Sequence, residues 1–431
     1  MPSIPSFSMN RRRLLQAGTG VLAAAGAGSV VRPARAVAAA DRRFLFVFVN
    51  GGWDLTWGLV PMFDNPRVHC PDDGSDVATA EGHVYVDGPA RPSVSAFFDE
   101  WGRHTCMLHG FEVRSVAHFN CRRLVFTGDA GAFSDDWPTL IASNGAGPGT
   151  AMPHLIVSGP GYAANYPDLV GRVGADGQLG AMLDMEMLSR RDIPLDPLQS
   201  DSRDAVAAYL AQRSASLAGA ASTAAAADVH QSLSDARADL PGLEAAFAGT
   251  DISSAQSFPE QLLLACDVLQ SGVSRCAVVR HNGFNDMTWD SHGGIEGQVL
   301  HYEDLFDGLL TLMGELSSRS GLFGGSLLDD TTVVVVSEMS RYPRLNGTGG
   351  KDHWPWTSAM LIGSGVAGGT AVGGYDSDIF GLYIDPDSGV ETPSGIRMQS
   401  RHFGATLLDL AGVDPAPYFA QETPPIRAVK A

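Results

Sequence analysis

Several short stretches of the chain are apolar at consecutive positions instead of alternating ones. Phe44–Val49 reads FLFVFV, and Thr331–Val336 is β-branched without a break. A run of this kind, closed by turn residues, suits a strand buried on both faces. The same reading predicts strands at Thr105–His109, His154–Ser158, Ser274–Val279 and Ser358–Ile362. Between them, helices are predicted at Val94–Trp101, from Ser115 to about Phe126, and at Phe258–Gln270, Gly297–Ser318 and Arg401–Leu410. Strands alternating with helices predict an α/β fold: three layers, α/β/α, around a mainly parallel sheet. Residues 62–92, rich in Pro, Gly and Asp, read as irregular. Ser200–Thr250 is dominated by Ala, which favours long helices, and reads as a helical hairpin inserted into one domain spanning 41–420.

The strand ends carry the candidate chemistry. The Thr331 strand runs into Ser337-Glu338, and an unpaired carboxylate there would be costly to bury. The following loop holds Pro343, Asn346, Gly347, Gly349 and Gly350 and closes on Asp352-His353-Trp354. In open parallel sheets, ligands bind beyond the carboxyl ends of the strands. Asp54 follows the first strand after Gly51-Gly52, which permit a sharp turn. Ser115 and His118 follow the second, and Asp290 and His292 lie beyond the Ser274 strand. Singly, each has an ordinary reading: Ser115 as an N-cap, His118 as a satisfied helix histidine, Asp290 as a turn cap. Their recurrence at four strand ends points to a divalent-metal site formed by Asp54, His118, Asp290, His292, Glu338 and His353. Mixed carboxylate and imidazole ligands suit zinc or manganese better than calcium.

Composition narrows the classes. With 431 residues, 44% hydrophobic, the chain has ample material for a large core. A formal net charge of -19 argues against nucleic-acid binding and against docking on anionic lipid. No uninterrupted apolar stretch is long enough for a membrane span. Arg11-Arg12-Arg13, the Ala/Gly-rich Ala17–Val30 and Ala34-Arg35-Ala36 predict a twin-arginine signal over residues 1–36. The implied partner during export is the twin-arginine translocase, and the destination is periplasmic or extracellular. None of the five cysteines forms a CxxC pair, so a thiolate zinc site is not indicated.

Five segments resemble the family known as domain of unknown function 1501, a branch of the alkaline phosphatase and sulfatase superfamily. They are FVNGGWD (48–54), SVAHFNCRRLVFTGD (115–129), WDSH (289–292), VVVVSEMSR (333–341) and GGKDHW (349–354). The resemblance implies an alkaline phosphatase-like fold. It also implies that Asp54 is the first-strand metal ligand and that Ser115 sits nearest the nucleophile position. Asp290 and His292 resemble the middle ligand pair, and His353 the last histidine ligand. Glu338 stands where the superfamily has Asp followed by His, and Met339 replaces that His.

Two functions follow, from different classes. One is an exported, metal-dependent hydrolase of a small anionic phosphate or sulfate ester. Ser115 would attack, and Arg341 or Arg114 would pair with the oxyanion. The other is a non-catalytic exported protein that binds a metal or a partner on the same scaffold. Met339 favours the second.

Overall fold

β1 (Arg43–Val49) is buried at every position. In this computed structural model the described residues are 37–131, 133–145, 150–173, 200–224 and 255–431, with scattered positions between 226 and 247. After β1 come a hairpin, β2 (Asp76–Ala80) and β3 (His83–Asp87), then β4 (Thr105–Glu112), β5 (His154–Ile156) and β6 (Val170–Arg172). Next are β7 (Cys276–His281), β8 (Thr331–Ser337), β9 (Ser340–Arg341), β10 (His353–Trp354), β11 (Trp356–Gly363) and β12 (Thr370–Gly373). Eight strands form one sheet in the order β12-β4-β11-β8-β1-β7-β5-β6. β1 lies parallel between β8 and β7, with Val49 opposite Ser337 on one side and His281 on the other. β11 alone runs antiparallel to both its neighbours, β4 and β8. The sheet is therefore mainly parallel. β11's reversed direction brings the loop before it, which carries His353, to the edge where β1 and β8 end.

The consecutive apolar runs are explained by helices on both faces. Leu45, Val47 and Val49 of β1 pack with Phe97, Leu262 and Leu305, from helices Pro92–Trp101, Phe258–Gln270 and Gly297–Ser318. Phe44, Phe46 and Phe48 point the other way. They pack with Val125, Ile141 and Phe403, from helices His118–Thr127, Trp137–Ser143 and Ser400–Leu410. Val333 and Val335 of β8 share the first core, and Val334 and Val336 the second. Each such side chain contributes roughly 1.5–3 kcal/mol through burial, so both faces of a central strand must be apolar.

Some expectations need correction. Residues 62–92 are not wholly irregular, because β2 and β3 form a hairpin within them. The second helix begins at His118 with Ala117 as its N-cap, so Ser115 is not the cap. The core also runs past residue 420, since Ile426 and Val429 are fully buried, and the compact unit extends over Ala36–Ala431. Of the expected hairpin, Ser200–Gly219 is a helix. Its return lies outside the described residues apart from scattered positions, as does the expected signal segment 1–36. No helix among the described residues is long and apolar enough to cross a membrane. All five cysteines are free thiols, four of them buried.

Several histidines are held neutral by the packing. His301 and His402 each accept a backbone N–H at Nδ1, from Phe284 and Gln399, and His281 accepts the Trp289 indole N–H. Burial pushes His301 and His402 down to about 4 and His154 to about 3, and it lowers His281 as well. In the unfolded chain these groups protonate near ~6.5. Their lowered folded values therefore give stability that is fully present above that pH and is lost as pH falls toward the folded values. Each group costs up to roughly 1.4 kcal/mol per pH unit in that window. Asp136, raised to about 6 by burial, and His118, raised to about 9 by its two carboxylate neighbours, act in the opposite sense but are two groups against four. The expected outcome is a melting temperature several degrees lower at pH 5 than at pH 7. A flat profile between them would contradict it.

Candidate metal centre

The end of β8 places Glu338 where water does not reach, with its side chain fully buried. A carboxylate there needs donors. Gly51 N–H, in the turn after β1, donates to both carboxylate oxygens, at 2.9 and 3.1 Å. His118 Nδ1 lies 2.8 Å from Oε1. The β1 turn needs glycine: Gly51 has φ +117°, and a Cβ there would stand 2.7 Å from Thr288 Oγ1 and 2.9 Å from Asp290 N. One buried carboxylate thus joins the ends of β1 and β8 to the first residue of the His118–Thr127 helix.

With Nδ1 held by Glu338, the far nitrogen of His118 faces Asp290 at 3.4 Å. His353, on β10, stacks edge-on against His118 with centroids 4.4 Å apart. One ligand atom each from His118, Asp290 and His353 lie within 4.8 Å of one another. The Nε2 atoms of both histidines are buried and have no hydrogen-bond partner in the protein. Two imidazoles with unpartnered nitrogens, grouped with a carboxylate about one-third exposed, are a donor set that a divalent ion fits. Glu338 on Nδ1 is the outer carboxylate that commonly orients a metal-bound histidine.

The charges fit this arrangement. The neighbouring carboxylates of Asp290 and Glu338 raise His118 to about 9. The same contact with His118, with Arg341 and His292 nearby, holds Asp290 well below the usual carboxylate range. Burial and the neighbouring Arg341, His118 and His292 push His353 down to about 4, so its ring is neutral.

The other expected ligands are not brought into the group of three. Asp54 is fully buried and faces Lys351, with Oδ2 2.6 Å from Nζ, while its Oδ1 accepts from Thr56 N and Oγ1. Glu338 stands behind His118, as above. His292 is half-exposed, and its Nδ1 lies 2.8 Å from Asp290 Oδ1 and 2.9 Å from Arg341. That nitrogen either donates to the carboxylate or accepts from the guanidinium, according to its proton. Arg341 does not face a ligand space. It is fully buried and donates to the carbonyls of Gly51 and Gly52, with NH1 3.0 Å from Asp290. It fixes the β1 turn and Asp290. Ser115 lies half-buried in the turn before the helix, where Oγ accepts from Ala117 N at 3.2 Å. The preceding Arg114 holds a left-handed φ of 65° and lines a different cleft, with Asp129, Asn165 and Arg401. Sequence reading gave Lys351 no role, because a lone lysine in a Gly-rich loop looks solvated.

The sequence matches the family described as "Protein of unknown function (DUF1501)" over residues 156–424. No curated protein matches. Among solved structures, Ps i-CgsB in complex with k-i-k-neocarrahexaose is 7% identical, with a TM-score of 0.35 over 86% of this chain and 72% of its own. The integral membrane protein lipooligosaccharide phosphoethanolamine transferase A from Neisseria meningitidis is 11% identical, with a TM-score of 0.39 over 93% of this chain and 59% of its own. The PsFucS1 sulfatase from Pseudoalteromonas sp. is 10% identical, with a TM-score of 0.36 over 90% and 76%. At TM-scores this low the likenesses carry no argument, and the fold stands on the sheet and layers described above.

If Arg341 is a clamp inside the protein, its loss must show in stability. Arg341→Met leaves two carbonyls and Asp290 without their donor. It should cost about 3–5 kcal/mol, the range for breaking a buried charged pair, measured by urea unfolding. A cost below about 1 kcal/mol, within the range of ordinary surface changes and exposed ion pairs, would return Arg341 to the ligand-facing role.

Proposed function

We propose that this chain, which belongs to the DUF1501 family, binds a divalent metal through His118, Asp290 and His353 and hydrolyses small anionic phosphate or sulfate esters outside the cytoplasm. The observation that carries the reading is the approach of one ligand atom each from His118, Asp290 and His353 to within 4.8 Å, with both Nε2 atoms buried and unpartnered and His118 aimed by Glu338. When bound, the ion supplies a Lewis acid that polarises the ester and neutralises developing charge. His353, held neutral, is ready to donate a lone pair. His118 gives up its Nε2 proton to bind and keeps Nδ1–H on Glu338. Arg341 keeps Asp290 aligned. Ser115, three residues before His118 and half-buried, is the candidate nucleophile. Zinc or manganese suits the donors better than calcium. The resemblance to the alkaline phosphatase and sulfatase superfamily, from the five segments, supports this chemistry.

A second reading is a non-catalytic metal-binding protein. The observation in its favour is Arg341, whose guanidinium is spent on backbone carbonyls and Asp290 and so does not hold a substrate anion.

One assay separates the two. Purified protein, supplied with zinc or manganese, is offered aryl phosphates and aryl sulfates. The hydrolase reading expects turnover that Asp290→Ala abolishes. It also expects Ser115→Ala to lower turnover at least about a hundredfold with little change in melting temperature. Metal binding without turnover on either ester class selects the second reading.

Export is proposed from Arg11-Arg12-Arg13. Replacing Arg11 and Arg12 by Lys should leave the precursor in the cytoplasm, detected by fractionation. Unchanged exported yield would contradict the twin-arginine route.

A further inference from the structure

Beside the three-ligand group lies a second buried anion that already has its cation. Asp54 and Lys351 are both fully buried, with Oδ2 and Nζ 2.6 Å apart. Neither charge would survive there alone, since removing water from an unpaired ion costs several kcal/mol. The ammonium donates to Thr56 Oγ1 at 3.0 Å and His69 O at 2.8 Å, and its contact with Asp54 Oδ2 is an ion pair. Its ammonium also lies 5.9 Å from the Trp57 ring centroid, within reach of a cation–π contact. On the other side, Asp54 Oδ1 is taken by Thr56 N and Oγ1. Charge neutralisation at this distance is the condition under which two buried ions are tolerated, although Oδ2 has the ammonium as an ionic neighbour and no aligned hydrogen bond.

The pair is also built into the centre's frame. Lys351 N donates to Ser291 O at 3.0 Å, one residue past Asp290, and Lys351 O accepts from the same Arg341 NH1 that reaches Asp290. Asp54 closes the turn whose Gly51 N–H holds Glu338. Two acidic residues thus flank one turn. Asp290 opens toward His118 and His353, and Asp54 closes on a lysine. The side chain that follows Glu338, Met339, is fully buried in the apolar core and brings no hard ligand to this end of β8.

We propose that the Lys351 ammonium occupies the place of a second cation beside Asp54, so that the centre holds one metal ion and Asp54 is not among its ligands. This rests on the metal reading above. It predicts that a divalent ion enters the Asp54 position only when Lys351 is removed, since Asp54, Thr56 and His69 O then form a vacant oxygen-lined site.

The test is ion stoichiometry, by native mass spectrometry and elemental analysis of the full chain with zinc or manganese supplied. The wild type should hold one ion. Lys351→Ala should take up a second, and Asp54→Asn combined with Lys351→Ala should not. Asp54→Asn with Lys351→Met removes both charges together and so spares folding. It should keep one ion with affinity within about threefold of wild type, less than the loss of even an outer-shell partner would cause. Two ions in the wild type overturn the inference and leave the metal reading standing. An ion lost from the uncharged double variant overturns it too, as does Lys351→Ala remaining at one ion in excess metal. No ion in the wild type overturns the metal reading and this inference with it.

Discussion

A carboxylate placed out of reach of water sets the terms for this end of the molecule. β8 is buried on both faces to its last residue, and Glu338 follows it into the same dry environment. Its oxygens have to be satisfied, and beside the adjoining Ser337 hydroxyl the partners come from two other elements. Gly51 N–H supplies one and His118 the other. The first requires a glycine turn after β1, and the second fixes a ring at the start of a helix. Once that ring is fixed, its outer nitrogen has one direction to face, toward Asp290 and His353. The three-ligand group is a consequence of how Glu338 is buried.

Around that core, positive charge is rationed between two acids. Arg341 holds the turn carbonyls and one face of Asp290, while Lys351 neutralises Asp54 outright. Asp290 keeps an open side, with a side chain about one-third exposed, whereas Asp54 has none. Two carboxylates that look equivalent by their place at strand ends are therefore different chemically. One opens toward His118 and His353, and the other closes on a lysine.

The layer architecture was legible because the strands are apolar at every position. FLFVFV and TTVVVV have to be central, and they are β1 and β8, side by side. The direction of β11 was not legible, because an antiparallel strand buried on both faces reads like a parallel one. The β2–β3 hairpin was missed because its residues are largely exposed and lie in Pro- and Gly-rich surroundings. Of the site, the loops were found and the roles only partly. His118, Asp290 and His353 each place a ligand atom within 4.8 Å of the others. Glu338 and Asp54 carry the same side-chain chemistry as Asp290 but are committed elsewhere, by His118 and Gly51 in one case and Lys351 in the other. Those commitments are tertiary contacts between segments some 220 to 300 residues apart, and local pattern does not encode them. Met339, which stands where the resemblance has a histidine, is buried in the apolar core.

The central claim is that His118, Asp290 and His353 hold a divalent ion with Glu338 behind His118. The most direct measurement is a crystal structure of the full chain grown with zinc, with anomalous diffraction recorded at the zinc edge. The account predicts a peak within about 2.0–2.2 Å of His118 Nε2, His353 Nε2 and an Asp290 oxygen, with Glu338 still on His118 Nδ1. No anomalous peak at these residues, or a peak coordinated by Glu338 in place of His118, would contradict it.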